Sequence, residues 1–149
     1  MALAPGGEIR VKGYLFDINV ISDLRKAKPH GAVLVWARSL PFEEVFLSTV
    51  TIGELQVGVE LTRYQDPVKA AEIEAWIDNL VRQVQILPMD TVCFREWARL
   101  MRGRPTQLKA DAMLAATVRV HRLTLATRNE ADFKHFDVEV FNPFKLPKA

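Results

Sequence analysis

The chain contains a single cysteine, Cys93. An internal disulfide is therefore excluded, and the usage fits a reducing cytosol. No apolar run approaches the roughly 20 residues that a membrane helix needs. The first residues, Met1 to Gly7, lack a cationic start followed by an apolar core, so no secretory signal is expected. Charge of one sign is scarce: 20 basic against 18 acidic side chains give a formal net charge of +2. A duplex-coating protein shows a heavier basic bias. The three histidines, His30, His121 and His135, are scattered without metal-ligand spacing, which argues against zinc. Phosphate-binding glycine loops and a GxSxG nucleophile elbow are absent, so acyl transfer has little support. No repeat or low-complexity tract is present. What remains is an ordinary globular composition, 49% hydrophobic over 149 residues, the length of one domain.

Residues 1–12, with Pro5-Gly6-Gly7, read as a flexible leader, and 13–149 as a single domain. Gly13 to Phe16 reads as a first strand. Val33, Trp36, Ala37 and Leu40 recur at helical spacing before Pro41. Val45 to Ser48 reads as a second strand and Thr51 to Arg63 as a helix. Asp66-Pro67 is a helix start, followed by a stripe of Ile73, Trp76, Ile77, Leu80, Val81 and Val84. Val84 to Leu87 forms a third strand, and Asp90 caps a helix carrying Cys93, Trp97, Leu100 and Met101 on one face. Ala110 to Val120 is apolar on nearly every side, which predicts a helix buried nearly all round. Strands over Leu123–Thr127 and Val138–Phe141 complete the series. Trp36, Trp76, Trp97 and Cys93 sit on apolar stripes and read as core. Strands alternating with helices predict an α/β fold with a largely parallel sheet. In such sheets ligands bind beyond the carboxyl ends of the strands.

Acids stand where that rule points. Asp17 follows the first strand, Glu54 lies just past the second, Asp111 opens the apolar helix, and Glu130 and Asp132 follow the last long strand. Thr51-Ile52-Gly53-Glu54 also fits a capping box, and Asp111 also suits a helix dipole. Both readings stay open for each. Asp17 is harder to explain structurally, because an acid abutting a buried strand is costly unless it is used. Converged carboxylates at about 4 Å repel by roughly 4 kcal/mol at an effective dielectric near 20. A hard cation relieves that repulsion, and oxygen-only donors favour Mg²⁺ or Mn²⁺. Arg63, Arg104, Lys109 and Arg128 are candidates to hold flanking phosphates.

The segment Phe16-Asp17-Ile18-Asn19-Val20-Ile21-Ser22 resembles the opening of PIN-domain ribonucleases, specifically VapC-like toxins and their FitB-like relatives. Leu47 to Leu55, containing Glu54, resembles the second family block. Lys109 to Thr117, containing Asp111, resembles the third. Leu125-Ala126-Thr127-Arg128-Asn129 through Phe133, then Val140 to Phe144, resembles the closing blocks. The resemblance implies a PIN-like three-layer fold, with a largely parallel central sheet flanked by helices. It also implies a Mg²⁺- or Mn²⁺-dependent endoribonuclease that hydrolyses RNA with metal-activated water, the toxin of a toxin–antitoxin pair. Asp17, Glu54 and Asp111 would be the metal and catalytic set. Asn19, Ser22 and Asn129 would support it by hydrogen bonding. A homodimer and a cognate VapB-type antitoxin are implied, with DNA met only indirectly through the antitoxin, no membrane partner and a cytoplasmic location. Two positions depart from the family pattern. Ile18 replaces a small hydroxyl residue, and the fourth acid falls on Asn129, with Glu130 and Asp132 nearby as substitutes. The alternatives are a catalytically degenerate PIN-fold binding module and a DNA-directed PIN nuclease.

Overall fold

The computed structural model describes residues 2–3, 9–10 and 13–147. The rest of the expected leader, residues 1, 4–8 and 11–12, lies outside the described residues, as do 148–149. Within that leader, β1 (Ala2–Leu3) pairs antiparallel with β2 (Ile9–Arg10).

The domain then runs β3 (Tyr14–Phe16), α1 (Ile18–Arg25), α2 (Gly31–Ser39), β4 (Val45–Ser48), α3 (Thr49–Gln65), α4 (Pro67–Gln83), β5 (Gln85–Leu87), α5 (Thr91–Met101), α6 (Lys109–His121), β6 (Thr124–Ala126), α7 (Glu130–Phe133) and β7 (Val140–Phe141). Strands β3 to β7 form one sheet in the order β5-β4-β3-β6-β7, and every neighbouring pair is parallel. The expected α/β class and three-layer architecture are therefore what the chain adopts.

Side-chain alternation along the strands builds the layers. Leu15 and Leu125 face a cluster with Ala112, Leu114, Ala115, Val118, Phe133 and Phe136, so α6 and α7 cover one side. Phe16, Leu47 and Ala126 face Val20, Ile21, Val33 and Leu80, so α1, α2 and α4 cover the other. A parallel sheet buried on both faces needs such near-continuous apolar strands. Trp36 seats α2 on the sheet, its ring 5.1–5.2 Å from those of Tyr14, Phe16 and Phe141. Trp76 and Trp97 pack against the same clusters, and Cys93 is buried, as their stripes predict. Gly13 permits a close approach of chains: a Cβ there would lie 2.8 Å from the Phe46 ring and 2.9 Å from Leu123.

Three of the caps follow the expected chemistry. Asp66 accepts from the Lys69 N–H with Pro67 in the first helical turn, and Asp90 accepts from the Cys93 N–H. Gly103, at φ +73°, turns the chain after α5. The capping box expected at Thr51–Glu54 does not form. Helix α3 begins two residues earlier than predicted, because the Ser48 hydroxyl accepts from the Val50 N–H at 3.0 Å. Thr51 and Glu54 are thereby interior helical residues. Among the described residues, no helix is long and apolar enough to cross a membrane.

Candidate active site

The sheet order places the carboxyl ends of β4, β3 and β6 side by side. Each end carries a polar residue into a helix or turn: Ser48, Asp17 and Thr127, all buried. Helix α6 brings its N-terminus, with Asp111 in the first turn, close enough for the Asp111 charge to act on the same edge. The strand-end rule thus selects the region in which the acids meet.

Asp17 is the N-cap of α1 and is held by three donors. Its Oδ1 accepts from the Ile18 N–H at 2.8 Å. Its Oδ2 accepts from the Thr127 hydroxyl at 2.7 Å and from Asn19 Nδ2 at 3.1 Å. A carboxylate offers about four lone-pair sites, so roughly one remains open. The Asp17 N–H also donates to the Ala126 carbonyl at 2.9 Å, tying β3 to β6 at this point. Asn19 Oδ1 accepts from the Arg128 N–H at 3.0 Å, which fixes the amide orientation. Thr127 is the hub that sequence reasoning left off the site: besides donating to Asp17, its hydroxyl accepts from the Asn129 N–H at 3.0 Å. The available signal was its position, a polar residue abutting an apolar strand, the same signal that singled out Asp17.

The other acids have charge neighbours but no partners. Burial, then the charges of Asp17 and Asp111, push the Glu54 carboxyl above its ordinary range. Burial, then Asp17 and Asp132, do the same to Asp111. Among the described residues, the carboxylates of Glu54, Asp111 and Asp132 have no hydrogen-bond donor and no ion pair. Glu54 and Asp132 are exposed and Asp111 is half-buried, so all three carboxylates are open to solvent at the strand-end edge. Also among the described residues, no three acidic, histidine or cysteine side chains stand close enough together to hold a metal ion as they are placed. The donors converge electrostatically without being pre-assembled.

The remaining predicted residues divide. Asn19 joins the Asp17 network. Ser22 is half-buried, and its hydroxyl makes no hydrogen bond among the described residues, so the support expected of it is not made. Asn129 contributes its backbone N–H, while its side chain forms no cap. Of the two substitutes for the fourth acid, Glu130 is held by Lys145 at 2.5 Å, which keeps its carboxyl below the usual range. Asp132 is the one whose charge acts on Asp111. Two of the four phosphate candidates are occupied elsewhere. Arg63 bridges Glu60 and Glu74 at 3.1 Å between α3 and α4. Arg104 donates to the carbonyls of Leu100 and His135 at 2.6 Å and lies over the Phe136 ring. Both serve packing of helix ends rather than the cleft. Arg128 follows Thr127 directly and is exposed, while Lys109 stands two residues before Asp111 at the start of α6, a spacing that does not put the two on one helix face.

A doubly covered parallel sheet with unpaired carboxylates over its carboxyl edge defines an α/β domain with an acidic cleft. The PIN domain profile matches residues 14–139, and the chain belongs to the PIN-domain family. It is 37% identical over 136 residues to toxin FitB of Neisseria gonorrhoeae, covering 87% of this chain and 97% of that protein. It is 31% identical over 142 residues to the VapC ribonuclease Y4jK of Sinorhizobium fredii, covering 88% and 97%. The crystal structure of FitAcB from Neisseria gonorrhoeae superposes with a TM-score of 0.78 at 33% identity, covering 89% of this chain and 99% of that one.

Proposed function

We propose that this PIN domain is a Mg²⁺- or Mn²⁺-dependent endoribonuclease, the toxin of a toxin–antitoxin pair. The observation that carries the reading is the convergence of Asp17, Glu54, Asp111 and Asp132 on one strand-end cleft with no cationic side chain paired to any of them among the described residues. The donor set fits a hard dication: it is all oxygen, it is mutually repulsive, and it leaves three carboxylates free to turn toward an ion. Relatives named as a toxin and as a ribonuclease support the class of activity.

Asp17, Asp111 and Glu54 would hold the ion, with Asp132 supplying the charge that Asn129 does not bring. Bound there, a dication makes water more acidic and offsets charge on the phosphodiester oxygens. The chain's own residues do the rest. Thr127, Asn19 and the Ile18 N–H lock the Asp17 carboxylate in one orientation. Glu54, its carboxyl pushed above the ordinary range by desolvation and by Asp17 and Asp111, would orient the attacking water and take its proton. Lys109 and Arg128 would draw the polyanion.

A toxin needs restraint, and an antitoxin of the VapB type would fill this cleft with basic or polar side chains, in a cytoplasmic complex built on a homodimer of this chain. The direct test is RNA cleavage by antitoxin-free protein. Cleavage should require Mg²⁺ or Mn²⁺ and should fall by at least 100-fold (an order-of-magnitude expectation for a lost electrostatic group) in Asp17→Asn. Equal cleavage by both proteins rejects the reading.

A further inference from the structure

Of the three arginines that lie over an aromatic ring among the described residues, Arg128 makes the shortest approach. Arg63, Arg104 and Arg119 spend their N–H groups on carboxylates and carbonyls. The Arg128 guanidinium has no acceptor among the described residues. Instead its Cζ lies 3.7 Å over the centroid of the Phe144 ring. At that separation the guanidinium plane must lie nearly flat on the ring, because an edge-on approach would hold Cζ farther away. The residue is exposed, so the second face of the guanidinium and its donors are open.

Two asparagines fix this pair. The buried Asn142 accepts from the Phe144 N–H at 3.0 Å through Oδ1 and donates to the Arg128 carbonyl at 3.4 Å through Nδ2. Asn19 accepts from the Arg128 N–H at 3.0 Å and, through its other end, donates to Asp17 at 3.1 Å. The His30 ring meets Phe144 edge-on, with centroids 5.4 Å apart. The Arg128 side chain therefore lies on a packed aromatic, while its backbone N–H is tied through Asn19 to the Asp17 carboxylate.

We propose that Arg128, laid on Phe144, is a stacking platform for one unpaired nucleobase of the substrate, beside the phosphate that is cut. This rests on the reading of the cleft as an RNA-cleaving site and deepens it. A phosphate needs donors but gains nothing from a fixed plane; a base gains from both, since guanidinium faces stack on bases and the N–H groups reach base acceptors. A base inside a duplex is already stacked, so the platform selects single-stranded RNA. Asn142 and Asn19 act as positioning residues.

The test is a scan in which each base of an unstructured RNA is removed in turn. Wild type, Arg128→Lys and Phe144→Leu are compared, with circular dichroism to check folding. Arg128→Lys keeps the charge and loses the plane; Phe144→Leu keeps the apolar bulk and loses the ring. For wild type, one abasic position next to the cut should raise KM about tenfold, the scale of one lost base stack. Each variant should raise KM about tenfold on intact RNA and be insensitive at that position. A flat scan with wild type, or an unchanged abasic profile in the variants, overturns the platform. The same scan read by fluorescence anisotropy separates the two claims. An abasic signature in binding without any cleavage would sink the nuclease reading and leave the platform; cleavage with a flat scan would do the reverse.

Discussion

At the scale of single residues, the cleft depends on one hydroxyl as much as on its acids. Thr127 donates to Asp17 and accepts from the Asn129 N–H and from Asn19 Nδ2, so Thr127→Val, nearly equal in volume, removes all three bonds and leaves buried polar atoms unmatched. The expected cost is about 1–3 kcal/mol in urea unfolding, with a fall in cleavage that Thr127→Ser largely restores. Glu54 carries a pH prediction. Its folded pKa is raised by burial and by its acidic neighbours, so its contribution to stability is present below the ordinary carboxylate range and is lost as pH rises through the raised value. In chelator, Glu54→Gln should therefore melt above wild type at pH 7, by about 1–3 °C for an effect under 1 kcal/mol, and the gap should close toward pH 4. A constant gap across that range would contradict the assigned cause. Asp17 was legible because an acid abutting a buried strand has few structural uses, whereas Asp111, in the first turn of α6, read equally well as an answer to the helix dipole. Thr127 was not, because threonine is ordinary in strands and its partner Asp17 lies 110 residues away.

At the scale of elements, periodic patterns carried well. The apolar run over Ala110–Val120 became α6, and Asp66-Pro67 and Asp90 became the starts of α4 and α5. Helix α1, Ile18–Arg25, went unread: it is short, and its cap, Asp17, had been considered only as a functional acid. The residue does both, accepting from the Ile18 N–H while facing Thr127. Helix α3 shows the reverse error. A capping-box motif at Thr51 was outcompeted by Ser48, which sits where the strand ends and can cap two residues sooner. Asp66→Ala should cost about 1 kcal/mol by removing the α4 cap, seen as a small shift in the urea midpoint. Leu114→Ala, inside the buried face of α6, should cost about 2–5 kcal/mol, and the contrast between the two separates local capping from core packing.

At the scale of the whole molecule, the order of five strands decides function. Placing β3 between β4 and β6 is what turns residues separated by most of the chain into one cleft. Sequence could name the acids, but the pairing of strands says which segments meet, and side-chain partners separate Asp132 from Glu130, which Lys145 holds, and Arg128 from Arg63, which Glu60 and Glu74 hold. Repulsion among unpartnered carboxylates also couples the cation to stability: added Mn²⁺ should raise the melting temperature of wild type at pH 7 and have less effect at pH 5, where protons compete. The most direct measurement is calorimetric titration of Mn²⁺ into wild type and into Asp17→Asn, Glu54→Gln and Asp111→Asn, each shown to be folded. A shared ion predicts that wild type binds and that every single amide weakens binding by tenfold or more, an order-of-magnitude expectation for a lost charged ligand. Wild type that takes up no Mn²⁺, or three variants that bind it as tightly as wild type, would contradict the account.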